Sequence, residues 1–120
     1  MSKPISRPLH GILDYSYAAA IASSPHLVGF SQDAPATLLM RVLGGAVLLT
    51  SLCTRYELGL IRVLPFKLHL GADALAGVFS LAAPWLFKFS GDERARNTFL
   101  AFGVLALVVA SLTRAEEMPS

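Results

Sequence analysis

HGILDYSYAAAIASSPHLVGFS, residues 10–31, decides the fold because it returns fifty-nine positions later as HLGADALAGVFSLAAPWLFKFS, residues 69–90. Without a gap the two copies share His10/His69, Asp14/Asp73, Pro25/Pro84, Phe30/Phe89 and Ser31/Ser90. The register continues through Asp33/Asp92, Gly44/Gly103, Leu48/Leu107, Thr54/Thr113, Arg55/Arg114 and Glu57/Glu116. Matching at one fixed offset over this length is an internal duplication, and it has to be read before any single element. Each copy runs as a long apolar segment, a short polar turn and a second apolar segment. That is a helical hairpin, made twice.

Composition says what surrounds the hairpins. The 120 residues are 54% apolar and 15% charged, against about 45–50% and about 25% in an ordinary soluble domain. Mean hydropathy of +0.58 points the same way, toward lipid. The net charge is +2, but the Lys and Arg, Arg41 apart, gather at segment ends and form no patch. That placement suits membrane anchoring and speaks against a nucleic-acid partner. Cys53 is the only cysteine, so an internal disulfide, a C-x-x-C pair and a cysteine-rich metal site are excluded. In its apolar run it reads as a small buried hydrophobe. Lys3 and Arg7 followed by the small residues 18–23 have the outline of a signal peptide. The same plan recurs at 69–90, deep in the chain, so the first copy is read as a retained structural helix.

Helices are expected over residues 9–29, 36–55 and 68–87, and through the seventeen charge-free residues 97–113. Lengths near about 20 residues suit a bilayer crossing. These segments lack the charged outer stripe of a water-facing helix, and VLALVVA (104–110) has no polar face at all. Residues 1–8 form a polar lead with Ser6 as a helix cap, and 114–120 a solvated tail. Turns are expected at 31–35 and 90–94. Residues 56–67 suit either a helical extension or a segment lying in the interface. The expected fold is all-α: one membrane domain over 1–120, a four-transmembrane-helix bundle of two tandem two-helix repeats, 9–57 and 68–116. A pseudo-two-fold axis along the membrane normal would relate the repeats. Lys3, Arg7, Arg55, Arg62, Lys67 and Arg114 then share the side of the termini, and Lys88, Arg94 and Arg96 the other, which puts both termini in the cytoplasm.

The chemistry-bearing residues are few. His10 and Asp14 are four apart on one helix face, as are His69 and Asp73. Both pairs fall at equal depth near the cytoplasmic ends of their helices, and the pseudo-two-fold axis lets them face each other. Ionisable groups inside a membrane segment form a functional hypothesis by default. Three readings stay open: hydrogen-bonded clamps between helices, a proton or ion relay, and ligation of a metal or haem. No metal or other cofactor is assigned, because no third or fourth His shares those faces. No Ser-His-Asp arrangement or Gly-rich phosphate loop is present, so no enzyme class is assigned.

A proline motif follows, Ser24-Pro25-His26 in one copy and Ala83-Pro84-Trp85 in the other. A helix-interior proline removes one hydrogen bond and kinks or ends the helix. Trp85, Phe89 and Phe30 suit the outer aromatic belt, with His26 in the place of that Trp. APWLFKFS (83–90) and SPHLVGFS (24–31) resemble the SPW repeat family of small bacterial membrane proteins. The resemblance spans residues 6–114 and departs from the motif at His26 and Ala83. It implies two two-helix membrane repeats, and with them a multi-pass protein of the bacterial cytoplasmic membrane. It brings no established activity and no catalytic residues.

Small residues complete the pattern: Ala18/Ala22, Ala72/Ala76/Ser80, Gly44-Gly45 and Gly103 favour close helix approach in lipid. The first and third helices are expected at the bundle centre, with the Leu/Val-rich second and fourth toward lipid. Arg41, the one charge well inside the second helix, is expected to snorkel to the outer headgroups, with an acidic loop residue as the other partner considered. The leading functional expectation is a non-enzymatic membrane module in contact with lipid. Four short helices leave room for a homo-oligomer or a larger membrane partner. The alternatives are a small transporter or proton-relay element and a haem- or quinone-binding redox carrier.

Overall fold

A computed structural model describes residues 3–119. Met1 and Ser2 of the expected lead, and Ser120 of the expected tail, lie outside the described residues. Helix α1 spans Arg7–Ser24 and runs on into one π-helical turn, Pro25–Gly29; α2 spans Ala34–Leu52, α3 Phe66–Leu86 and α4 Glu93–Leu112. The first three begin two residues ahead of expectation. Pro8 and Pro35 sit in the first turns of α1 and α2, where a missing N–H breaks no helical bond, and Pro65 directly precedes α3. Ser6 caps α1 through Leu9 N–H, and the paired Asp33 and Asp92 cap α2 and α4 through Ala36 and Ala95 N–H.

Helices α2, α3 and α4 are long and apolar enough to cross a membrane. Helix α1 carries Arg7, His10 and Asp14 within eighteen residues and is the most polar of the four, but it is the repeat mate of α3. The chain is a multi-pass membrane protein with an all-helical bundle fold. We call the end holding the 53–65 loop and both chain ends the base, and the end with the 31–33 and 90–92 turns the tip.

Packing is hairpin-first: α1 lies along α2 and α3 along α4, while α1 and α3 meet through the side chains of the base. Within each hairpin the helices lie close. The reason lies in the small residues. A Cβ on Gly77 would meet Gly103 O at 3.0 Å, and one on Gly103 would meet Gly77 O at 2.8 Å, so these backbones touch. The equivalent crossing in the first hairpin is Gly44 on Ala18 O, at 3.3 Å. Gly77, which the small-residue pattern did not include, makes the close approach; Ala72 is exposed.

The apolar core sits at the tip, where Ile21, Phe30, Ala36 and Met40 of one repeat pack on Ala83, Phe89, Ala95 and Phe99 of the other. The base is closed by backbone. Ile5 pairs with Thr113, and Leu64 with the repeat-equivalent Thr54. Ile5 N–H donates to Leu112 O and Arg114 N–H to Ile5 O, while Leu64 N–H donates to Cys53 O and Arg55 N–H to Leu64 O. Each repeat's end thus grips the other's beginning.

Residues 53–65 are turns, which overturns the helical-extension reading of 56–67. Tyr56 dives into the bundle, fully buried, and pulls the chain off the α2 axis. Leu60, Ile61 and Val63 are left exposed at the loop tip. The tail is also more engaged than a solvated tail: Glu117 accepts Phe66 N–H and Lys67 N–H at 2.9 Å each. It caps α3, whose own N-cap is Pro65 where α1 has Ser6.

Candidate functional site

Four residues from the first turns of α1 and α3 meet in one cluster at the base. His10 Nε2 lies 2.9 Å from Asp73 Oδ2 and 3.2 Å from Asp14 Oδ1. His69 Nε2 lies 2.9 Å from Asp14 Oδ2 and 3.2 Å from Asp73 Oδ2. Each His therefore touches the Asp of its own helix and the Asp of the other repeat. The four-residue spacing within a helix supplies the first contact, and the duplicated architecture supplies the second. His10, His69 and Asp14 are buried, and the Asp73 side chain keeps 18% of its surface exposed.

The back of each imidazole is held in the same way. Thr113 Oγ1 is 2.9 Å from His10 Nδ1, and the paired Thr54 Oγ1 is 2.7 Å from His69 Nδ1. Each threonine hydroxyl donates its single proton to the carbonyl four residues back, Val109 O at 2.6 Å and Thr50 O at 2.5 Å. The oxygen is left as an acceptor, so the Nδ1–H of each His donates to it. This network assigns both rings with Nδ1 protonated and Nε2 turned toward the carboxylates. Thr54 and Thr113 were visible in the repeat alignment without any role. Knowing that α2 and α4 end against the His pairs is what supplies it.

Aromatic residues seal the cluster. Phe66, fully buried, meets the His10 ring edge-on at 5.4 Å and stacks on His69 at 6.1 Å. Tyr56 donates its hydroxyl to Asp14 Oδ2 at 2.8 Å. Burial pushes the Tyr56 phenol well above its usual value, so it remains a donor. Its repeat equivalent is Ala115, so Asp14 gains a hydroxyl donor that Asp73 does not gain from the matching position. Above the cluster a cavity of about 250 Å³ separates the hairpins, lined by Asp14, Tyr17, Asp73, Ala76, Phe102 and Ala106 among others. Tyr17 bridges it by donating to Phe102 O at 2.6 Å.

The proline motif lies at the tip, at the far end from the tetrad. Pro25 has no N–H for Ile21 O, and the Ser24 hydroxyl donates to that carbonyl instead, at 2.8 Å. The serine of the motif thus repairs the bond its proline removes. Both prolines accept from the residue five positions on, Phe30 N–H to Pro25 O at 2.9 Å and Phe89 N–H to Pro84 O at 2.8 Å. The bend that follows reaches the left-handed region at equivalent positions, Gly29 with φ 96° and Lys88 with φ 59°. Ala83 is buried, and Trp85 is 56% exposed, as a lipid-facing belt residue would be.

Arg41 has a side-chain partner in the first proline motif. Its guanidinium donates to His26 Nε2 at 2.7 Å. The second repeat has Trp85 and Leu100 at these two positions. The departure from the motif at His26 and the charge inside α2 are therefore one feature, a polar pair standing where the other repeat is apolar.

Comparison with curated proteins and with solved structures returned no match. A family model, described as the SPW repeat domain, matches residues 8–114, from the turn before His10 to the residue after Thr113. With both hairpins, both proline motifs and the whole tetrad inside that match, the chain belongs to the SPW repeat domain family.

Proposed function

We propose that the chain is a non-enzymatic membrane module whose two hairpins are fastened at the base by the His-Asp tetrad. One observation carries this reading. The hairpins touch sparingly along their lengths, yet four ionisable side chains, two from each repeat, converge in a site packed by Phe66 and Tyr56. Buried charge is retained where it is paired, and here every pair crosses or braces the repeat boundary. The outward Leu and Val of α2 and α4 suit acyl chains. The excess of Lys and Arg at the base supports termini in the cytoplasm, in the inner membrane of a bacterium. A second copy or a larger membrane protein fits the same exposed faces.

The proton-relay alternative asks for a polar path from the tetrad to the His26–Arg41 pair. The cavity above the tetrad is lined mainly by apolar residues, with Ser16 and Tyr17 polar beyond the carboxylates, and neither His26 nor Arg41 lines it. Bis-histidine haem ligation asks for a flat slot between His10 and His69. Instead the rings stand 5.4 Å apart at 83°, with both carboxylates within 3.2 Å of their Nε2 atoms.

The test is stability in detergent. Asp14→Ala strands two imidazoles and a phenol, so a loss of about 3–5 kcal/mol is expected, as for breaking a buried ion pair. If the double substitution Asp14→Asn, Asp73→Asn leaves the unfolding midpoint unchanged, the clamp reading fails. A proton flux into liposomes that disappears in the same double variant would instead favour the relay.

A further inference from the structure

We propose that the tetrad is a mononuclear binding site for a divalent transition-metal ion of the zinc class. The inference deepens the clamp reading and rests on it: the ion would be the tie between the hairpins. The donor set is His10 Nε2, His69 Nε2, one oxygen of Asp14 and one of Asp73, all within 4.8 Å of one another. Ligands of a tetrahedral ion with bonds of about 2.0–2.1 Å stand about 3.3 Å apart. Asp73 Oδ2 stands 2.9 and 3.2 Å from the two Nε2 atoms, just inside that spacing. Asp14 faces His10 with Oδ1 at 3.2 Å and His69 with Oδ2 at 2.9 Å, so one of its oxygens would turn to the ion.

The decisive atom is His69 Nε2. It is fully buried and has no hydrogen-bond partner among the described residues, although two carboxylates lie beside it. The oxygens are near enough but off the line an N–H would need. That leaves His69 Nε2 available to a shared central ion, whereas His10 Nε2 keeps one in-line contact, with Asp73 Oδ2 at 2.9 Å. The outer groups fit as well. Metal-bound imidazoles donate their second ring N–H to a fixed acceptor, and Thr54 and Thr113 provide one each. Tyr56 orients Asp14 by donating to it. Two neutral imidazoles and two carboxylates carry a charge of minus two, which a divalent ion cancels in a place where net charge is costly. Two nitrogens in a four-ligand set favour zinc or its neighbours over magnesium or calcium, which take six or more oxygens. Asp73, the partly exposed member, leaves one edge open for entry.

The experiment uses the full chain in detergent, stripped of metal by a chelator. Zn²⁺ is titrated calorimetrically, and Co²⁺ is added separately as a visible probe. One Zn²⁺ per chain is expected, with intense tetrahedral Co²⁺ bands that Zn²⁺ abolishes and at least tenfold weaker binding of Mg²⁺. Asp73→Asn, nearly isosteric, should lower Zn²⁺ affinity at least 100-fold while circular dichroism stays helical. Thr54→Val and Thr113→Val should each lower it about 10–100-fold. Failure of the metal-free wild type to take up Zn²⁺ overturns the proposal, as does Zn²⁺ binding that Asp73→Asn leaves intact. The wild-type Co²⁺ spectrum decides even if a variant does not fold, since pale octahedral bands count against it. The two readings separate cleanly. No zinc uptake, with stability still lost in Asp14→Asn, Asp73→Asn, removes the ion and keeps the clamp. Zinc uptake, with no stability lost from the metal-free double variant, removes the clamp and keeps the ion.

Discussion

Ser24 and Ser23 sit side by side in α1 and donate to carbonyls in similar ways, yet their removal should differ. Ser23 Oγ donates to Ala19 O, which residue 23 also reaches through its own N–H in a regular helix. Ser24 Oγ donates to Ile21 O, whose helical donor Pro25 has deleted. In lipid an unpaired carbonyl has no water to turn to. Ser24→Ala should therefore cost about 1 kcal/mol or somewhat more, and Ser23→Ala close to nothing, read from unfolding midpoints in detergent. Equal midpoints for the two would remove the repair role. Lys88 offers the opposite sign. It holds a left-handed φ of 59° where the first repeat has Gly29. Lys88→Gly should raise stability by up to about 1 kcal/mol in the same measurement.

At the scale of elements, the glycines divide into two kinds. A Cβ at Gly103 would strike Gly77 O at 2.8 Å, while one at Gly45 meets nothing within 4 Å. Gly103→Ala should force α3 and α4 apart at a cost of about 1–3 kcal/mol. Gly45→Ala should be neutral, or stabilising by up to about 1 kcal/mol through helix propensity. The cap on α3 makes a pH prediction. Bonds from Lys67 N–H, and then Phe66 N–H, hold the Glu117 carboxyl below its usual value. The cap's contribution is thus complete above the ordinary carboxylate range and is lost as pH falls through the lowered value. Exchange of the Phe66 and Lys67 amides should quicken below about pH 4.5 and at all pH values in Glu117→Gln; protection that ignores both would dismiss the cap. The helices and turns were readable because duplication, proline placement and paired Asp caps all lie within short windows of chain. The cap on α3 was not, since Glu117 stands fifty-one residues from Phe66 in a tail that composition marks as solvated. Gly77 hid for a simpler reason: its repeat partner is Ala18, so identity matching passes over it.

For the molecule as a whole, the tetrad tests how far a sequence reaches. The two His-x-x-x-Asp pairs were visible at equal depth, and symmetry allowed them to meet. Nothing in one dimension shows that each His would touch the opposite Asp, or that helix ends would deliver Thr54 and Thr113 behind the rings. Those contacts depend on the crossed seams at the base, Ile5 with Thr113 and Leu64 with Thr54. The seams share their two central backbone bonds, and one seam is spanned by the 53–65 loop. That arrangement has a genetic consequence. A chain cut within 53–65 and joined from Thr113 back to Ile5 by a loop of like length would hold every helix in its present place. Such a circular permutant should fold and keep the tetrad. By the same reasoning a gene encoding one hairpin alone should yield a homodimer, in which the symmetry axis is true and the four ligands come from two identical chains.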